Sequence, residues 1–137
     1  MSIIKDIETA FKQNGIKYLK GSNIKEQIFN VPYRGIANPQ NHINIYIDVD
    51  EESRLVVFKL VEKLNKSMDI EDARTKLLDL NSNLNLGTLS MRSNSDTIEY
   101  KADYQLNENC VFSFDKYIVF IIKCIDVYEE MKNKDLI

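Results

Sequence analysis

The residues of this sequence most suited to chemistry are one histidine and two cysteines: His42, Cys110 and Cys124. A nucleophilic triad needs a histidine as its base, so His42 is the single candidate. It begins a segment that alternates polar and apolar residues, on the polar side, which predicts an exposed and inert imidazole. The cysteines have no CxxC spacing, so we expect both to be reduced and to pack as small apolar side chains.

Four acidic residues, Asp48, Asp50, Glu51 and Glu52, are close together and could in principle supply oxygen ligands to Ca²⁺ or Mg²⁺. They lack the spacing and the glycine of a calcium loop, which favours a solvated hairpin tip. None of the 4 glycines lies in a GxSxG, GxGxxG or phosphate-binding motif. The sequence therefore predicts no catalytic, cofactor-binding or metal-binding residues, and a protein that is not an enzyme.

The composition is that of an ordinary globular protein: of 137 residues, 44% are hydrophobic and 28% are charged. The formal charge of −3 argues against a nucleic-acid-binding module, in which Lys and Arg are gathered on one face. No segment approaches the ~20 apolar residues of a membrane span, and acids occur too early for a signal peptide. We expect one domain, residues 1–137, in the cytoplasm, with neither a nucleic acid nor a membrane as a partner.

The first third of the chain predicts one helix and one weak strand. Ser2 can cap a helix with apolar residues at helical spacing, and Gly15 is placed to end it. A weaker strand pattern covers Ile24 to Val31, and the turn formers Pro32 and Gly35 are expected to close it.

Two clearer strands follow. His42 to Asp50 alternates between apolar and polar residues, which predicts a strand with one buried face. Arg54 to Val61 has apolar residues on both faces, so we expect that strand to lie deeper in the sheet.

A helix is expected to begin near Asp69, where a carboxylate can accept hydrogen bonds from the first turn. Asn81, Asn83 and Asn85 are poor helix-interior residues, and Asn85 and Gly87 tolerate the left-handed conformation that ends helices. The predicted apolar stripe of this helix is Ile70, Ala73, Leu77, Leu80 and Leu84.

The residues after this helix predict a β-hairpin, because two alternating segments flank a turn at Ser93 to Asp96. The last element, Ser113 to Lys132, is rich in β-branched residues but too long for an ordinary strand, so we interpret it as a helix. The resulting order, α-β-β-β-α-β-β-α, predicts an α+β fold: a two-layer sandwich of helices on an antiparallel sheet.

This order of elements, and the Asn-x-x-Leu-x-x-Gly-x-Leu pattern at Asn81, Leu84, Gly87 and Leu89, resemble the YbjN family of bacterial proteins. Its members share the fold of type III secretion chaperones. The resemblance implies a bacterial cytoplasmic protein, often dimeric, that acts through protein partners in regulation or stress response. The family has no established catalytic residues to carry over.

Two functional classes follow. One is a non-catalytic protein-binding module, chaperone-like or regulatory; the other is a small-ligand sensor with a pocket between sheet and helices. A pocket needs convergent polar groups among apolar walls, whereas the predicted inward faces are almost entirely apolar, which favours the protein-binding module. These inward residues are Ile43, Ile45, Ile47, Leu89, Met91, Ile98 and Tyr100.

The apolar arc of the last helix is wider than one sheet face requires. Phe120, Val127 and Met131 lie on one flank of that arc and need a further surface to cover them. Neighbouring helices could supply it, which would make this flank part of the core. The alternative is a homodimer or partner interface along the flank.

Overall fold

The computed structural model describes residues 2–22, 27–92, 95–107 and 111–137. Within these ranges, three helices accompany one six-stranded antiparallel sheet with the strand order β1-β2-β3-β4-β6-β5. The elements are α1 (Ile3–Gln13), β1 (Leu19–Ser22), β2 (Gln27–Arg34), β3 (His42–Asp50), β4 (Leu55–Lys63), α2 (Ile70–Ser82), β5 (Thr88–Met91), β6 (Thr97–Gln105) and α3 (Phe114–Asn133).

The observed order differs from the predicted one by an extra strand, β1, which pairs with residues 27–30 of β2. The first residues of the predicted strand Ile24 to Val31 lie outside the described ranges, and its described part continues through Pro32 to Arg34. The prediction that Pro32 closes the strand was therefore wrong. Because β1 begins at Leu19, opposite Asn30, Pro32 lies where β2 has no strand on its outer side, and proline is tolerated at such an edge.

The helices begin at the side chains that the sequence indicated. Ser2, Asp69 and Ser113 each accept a hydrogen bond from the backbone N–H three residues later. α2 ends at Ser82 with a right-handed C-cap at Asn83, so Gly87, whose φ is 81°, lies just before β5 and does not end the helix. Asn85 is not left-handed, so that part of the prediction was wrong.

All three helices pack on the same face of the sheet. The alternation predicted for β3 is confirmed: its isoleucines are buried below the helices, and His42 is exposed. The Tyr117 ring of α3 lies 5.4 Å from Phe11 of α1 and 5.9 Å from Phe58 of β4, so one aromatic cluster joins both layers. The opposite face of the sheet has no helix over it among the described residues.

The predicted positions of β4 and the hairpin are confirmed. β4 lies inside the sheet, between β3 and β6, and β5 and β6 form the antiparallel hairpin, with Leu89 opposite Tyr100. Two residues of its turn, Ser93 and Asn94, fall outside the described ranges.

In the predicted apolar stripe of α2, Ile70 is 49% exposed, so the buried part of the stripe begins at Ala73. No helix in the described part of the chain is long and apolar enough to cross a membrane.

Candidate functional site

The residue types best suited to catalysis are not brought together. His42 is exposed at the start of β3. Cys124 is fully buried in α3, and burial raises the pKa of its thiol to about 12, so it is a neutral thiol at physiological pH. Cys110 lies outside the described residues.

The four acidic residues near the β3–β4 turn have separate roles. Asp48 forms an ion pair with Lys59. The Asp50 carboxylate accepts hydrogen bonds from the backbone N–H groups of Glu52 (3.0 Å) and Ser53 (3.3 Å), which holds the turn in place. Within the described ranges, no group of three or more His, Cys, Asp or Glu side chains is placed to hold a metal ion.

Glu51 caps the first helix. Its carboxylate accepts hydrogen bonds from the Ser2 hydroxyl (3.0 Å) and from the backbone N–H groups of Ile3 (3.0 Å) and Ile4 (2.9 Å). Burial opposes ionisation of this carboxyl, but these hydrogen bonds and the charge of Arg54 outweigh burial and lower its pKa. Glu51 thus connects the β3–β4 turn to the positive end of α1.

The Asn-Leu-Gly-Leu motif of the sequence is structural. The Asn81 side chain donates a hydrogen bond to the carbonyl oxygen of Leu89 and accepts one from its N–H, both at 2.7 Å. Asn81 thereby pairs backbone groups of Leu89 at the outer edge of β5, where no further strand can do so. Leu86 accepts a 2.7 Å hydrogen bond from the Tyr100 hydroxyl. A Cβ atom on Gly87 would lie 2.5 Å from that hydroxyl, so a glycine is required where the chain crosses the Tyr100 ring.

Other members of the motif support this region. Leu84 is half-buried against the core. The exposed Asn85 accepts a 3.4 Å hydrogen bond from Lys123 of α3.

The open face of the sheet carries a buried charge that the sequence did not reveal. Glu99 is only 6% exposed, and its carboxylate binds Arg92 (2.5 Å) and Lys101 (3.2 Å). Burial opposes its ionisation, but the hydrogen bonds and charges of these two cations lower its pKa. On the same face, Lys59 neutralises Asp48, as Arg92 and Lys101 neutralise Glu99.

Phe120, Val127 and Met131, the predicted interface residues, lie inside the single chain and are 9%, 3% and 0% exposed. The Phe120 ring stacks on Phe58 at 4.7 Å and on Tyr104 at 5.4 Å. The alternative that assigned this flank to the core is therefore correct. Little of these three side chains is left exposed for an interface, and a homodimer stays a prediction.

A groove lies between α2 and α3, at the end of the helical layer. Its volume is about 540 Å³. The apolar side chains of Leu80, Leu84, Leu89 and Val127 line it, and they are buried or half-buried, so they form its floor. The charged and amide side chains that also line the groove are Asp79, Asn83, Lys123, Asp126, Glu129, Glu130, Asn133 and Lys134.

The β2–β3 loop borders this groove through Ala37. Glu129 of α3 holds the loop, since its carboxylate accepts hydrogen bonds from the N–H groups of Ile36 (3.2 Å), Ala37 (2.8 Å) and Asn38 (3.1 Å). Glu129 therefore fixes the position of the loop at this border of the groove.

Two exposed apolar side chains extend the groove along α3. Val119 is 59% exposed and Ile122 is 44% exposed. They are three residues apart, and Val119 is four residues before Lys123 of the groove, so they share one side of the helix. Together with the groove they form the docking surface, a term used here for the α2–α3 groove plus Val119 and Ile122.

Comparison with known proteins identifies the fold of this chain. No family model matches the chain, and no curated protein matches it in sequence. The crystal structure of YbjN from E. coli, described as a proposed transcription regulator, superimposes with a TM-score of 0.69 over 99% of this chain and 94% of YbjN.

The chain has the YbjN fold. The two sequences are 11% identical, so the likeness to YbjN shows the architecture and carries no binding residue across. The resemblance noted at Asn81 to Leu89 is consistent with this result, because those residues build the fold.

Proposed function

We propose that this chain is a non-catalytic, cytoplasmic bacterial protein-binding module, chaperone-like or regulatory, that acts through a protein partner held at the docking surface. The observation that carries the proposal is the groove itself, with apolar residues at its floor, charged residues at its rim and two exposed apolar residues beside it. Sites for protein segments have this form: an apolar centre that excludes water, within a polar rim. The description of YbjN as a proposed regulator is compatible with such a role.

The small-ligand sensor, the alternative function, receives less support. It requires a pocket between sheet and helices, but stacked rings of Phe58, Phe120 and Tyr104 occupy that space. Polar groups there bind one another, as in the 2.7 Å hydrogen bond between the hydroxyls of Tyr33 and Tyr117. Such an interior stabilises the fold and leaves partner binding to the outer surfaces.

The test is affinity capture from the native bacterial cytoplasm, with bound proteins identified by mass spectrometry. The wild type is compared with Asp126→Lys/Glu130→Lys, which reverses two exposed charges at the groove. The control, Glu52→Lys/Asp103→Lys, makes the same change of charge at exposed positions away from the groove.

We expect a protein that the wild type and the control retain and the groove variant loses. Equal retention by all three would contradict the assignment of the docking surface. The absence of any specifically retained protein would contradict the protein-binding function.

A further inference from the structure

The acidic side chains outnumber the basic ones in the groove. Asp79, Asp126, Glu129 and Glu130 line it, against Lys123 and Lys134. Lys134 lies 3.8 Å from Asp79, and Glu129 is occupied by the backbone of the β2–β3 loop. Neither Asp126 nor Glu130 has an ion-pair partner within the described part of the chain, so two carboxylates remain available to a partner.

These two carboxylates are aligned with the apolar extension of the groove. Ile122, Asp126 and Glu130 follow one another at intervals of four residues, so they form one row on α3. All three are exposed. A molecule lying along α3 would therefore meet apolar contacts at one end of the row and negative charge at the other.

The dimensions of the groove fit a short helix. Its α3 wall runs from Lys123 to Asn133, which at 1.5 Å per residue is roughly 15 Å, close to three helical turns. Both walls are helices, and an amphipathic helix packs its apolar face into such a groove through residues at i, i+3, i+4 and i+7. An apolar helix face would by itself fit the apolar part of the groove. The unpaired carboxylates of Asp126 and Glu130 favour a helix that also carries Lys or Arg side chains beside that face.

We propose that the docking surface binds a basic amphipathic helical segment of a partner protein, whose apolar face contacts the exposed side chains of Val119 and Ile122 and whose Lys or Arg side chains pair with Asp126 and Glu130. This inference rests on the proposed function and adds the chemistry of the partner. Because both acids are exposed, their attraction acts largely on encounter and orientation and weakens with added salt.

The test uses two synthetic 14-residue peptides labelled with fluorescein, and binding is followed by fluorescence anisotropy. Both place leucine at i, i+3, i+4 and i+7; one carries lysine at the remaining positions and the other carries glutamate. The proteins compared are the wild type, Asp126→Asn/Glu130→Gln and the control Glu52→Gln/Asp103→Asn. Each peptide is titrated at two salt concentrations.

We expect the lysine peptide to bind the wild type and the control alike, at least tenfold more tightly than the glutamate peptide. The groove variant should bind it at least fivefold more weakly, with a smaller dependence on salt. Equal weakening in the groove variant and the control would show attraction to overall charge only and would overturn the proposal. Failure of the lysine peptide to bind, or equal binding of both peptides, would overturn it as well.

A failure of this inference is separable from a failure of the proposed function. If affinity capture yields a partner that depends on the groove but whose bound segment is neutral or acidic, the protein-binding function stands and the basic segment is wrong.

Discussion

Gly87→Ala should destabilise the protein through two effects that can be measured separately. Gly87 has a φ of 81°, where an alanine costs ~1 kcal/mol. The new Cβ would also lie 2.5 Å from the Tyr100 hydroxyl, so the ring must move and its buried hydrogen bond to Leu86 is lost, at a further cost of ~1–3 kcal/mol. The total is about 2–4 kcal/mol, or roughly 8–16 °C in melting temperature for a chain of this size.

Gly15→Ala is the matched control. Gly15 has a φ of 65°, but a Cβ there has nothing within 4 Å, so only the backbone cost applies. Urea and thermal unfolding followed by circular dichroism would give both free energies of unfolding. We expect Gly15→Ala to lose ~1 kcal/mol and Gly87→Ala clearly more. Equal losses would refute the role of the close approach to Tyr100, and wild-type stability in Gly87→Ala would refute the whole argument.

Four further outcomes follow from the structure. Asn81→Leu removes both hydrogen bonds at the β5 edge and should cost ~2–3 kcal/mol in urea unfolding; a loss below ~0.5 kcal/mol would contradict that role. Glu51→Gln should lower stability at pH 7, because the folded pKa of Glu51 lies below its unfolded value near 4.5; its stabilisation exists above that value and is lost as pH falls through the folded pKa. Burial, partly offset by Lys132, raises the pKa of Glu62. Glu62→Gln should therefore increase stability at pH 7, with no gain well below pH 4.5. An unchanged pH dependence of stability in either the Glu51 or the Glu62 variant would count against these assignments. Phe120→Glu should give an unfolded protein by circular dichroism, whereas a folded product would mean that this flank is surface.

Periodicity was sufficient to predict most of the fold, since helices and strands with one buried face carry their own pattern. Ser2 and Asp69 marked helix starts because capping acts within a few residues. β1 was missed because Leu19–Ser22 is four residues long and contains a lysine and a glycine, so it has no alternation to detect. Its partner strand was then closed too early, at Pro32.

The candidate site was less predictable because its parts meet only in the folded chain. The groove depends on how α2 and α3 lie side by side, and their sequence positions give no sign of that. The burial of Glu99 depends on Arg92 and Lys101 folding over it from neighbouring positions in the sheet. The caps and loop contacts of Glu51 and Glu129 join residues far apart in sequence.

The pattern of the last helix predicted its amphipathic character but not which neighbours would cover it. Phe120 looked unsatisfied because a helical projection does not include the rings of Phe58 in β4 and Tyr104 in β6.

Site-specific photo-crosslinking in the cells that naturally produce the protein tests the central claim most directly. A benzophenone amino acid is placed at Asn133, an exposed residue of the groove, and in a separate strain at Asp103, an exposed residue of the open sheet face. The account predicts a discrete protein adduct from Asn133 and none from Asp103. An adduct from Asp103 alone, or no protein adduct from Asn133, would contradict the assignment of the α2–α3 groove as the site of partner binding.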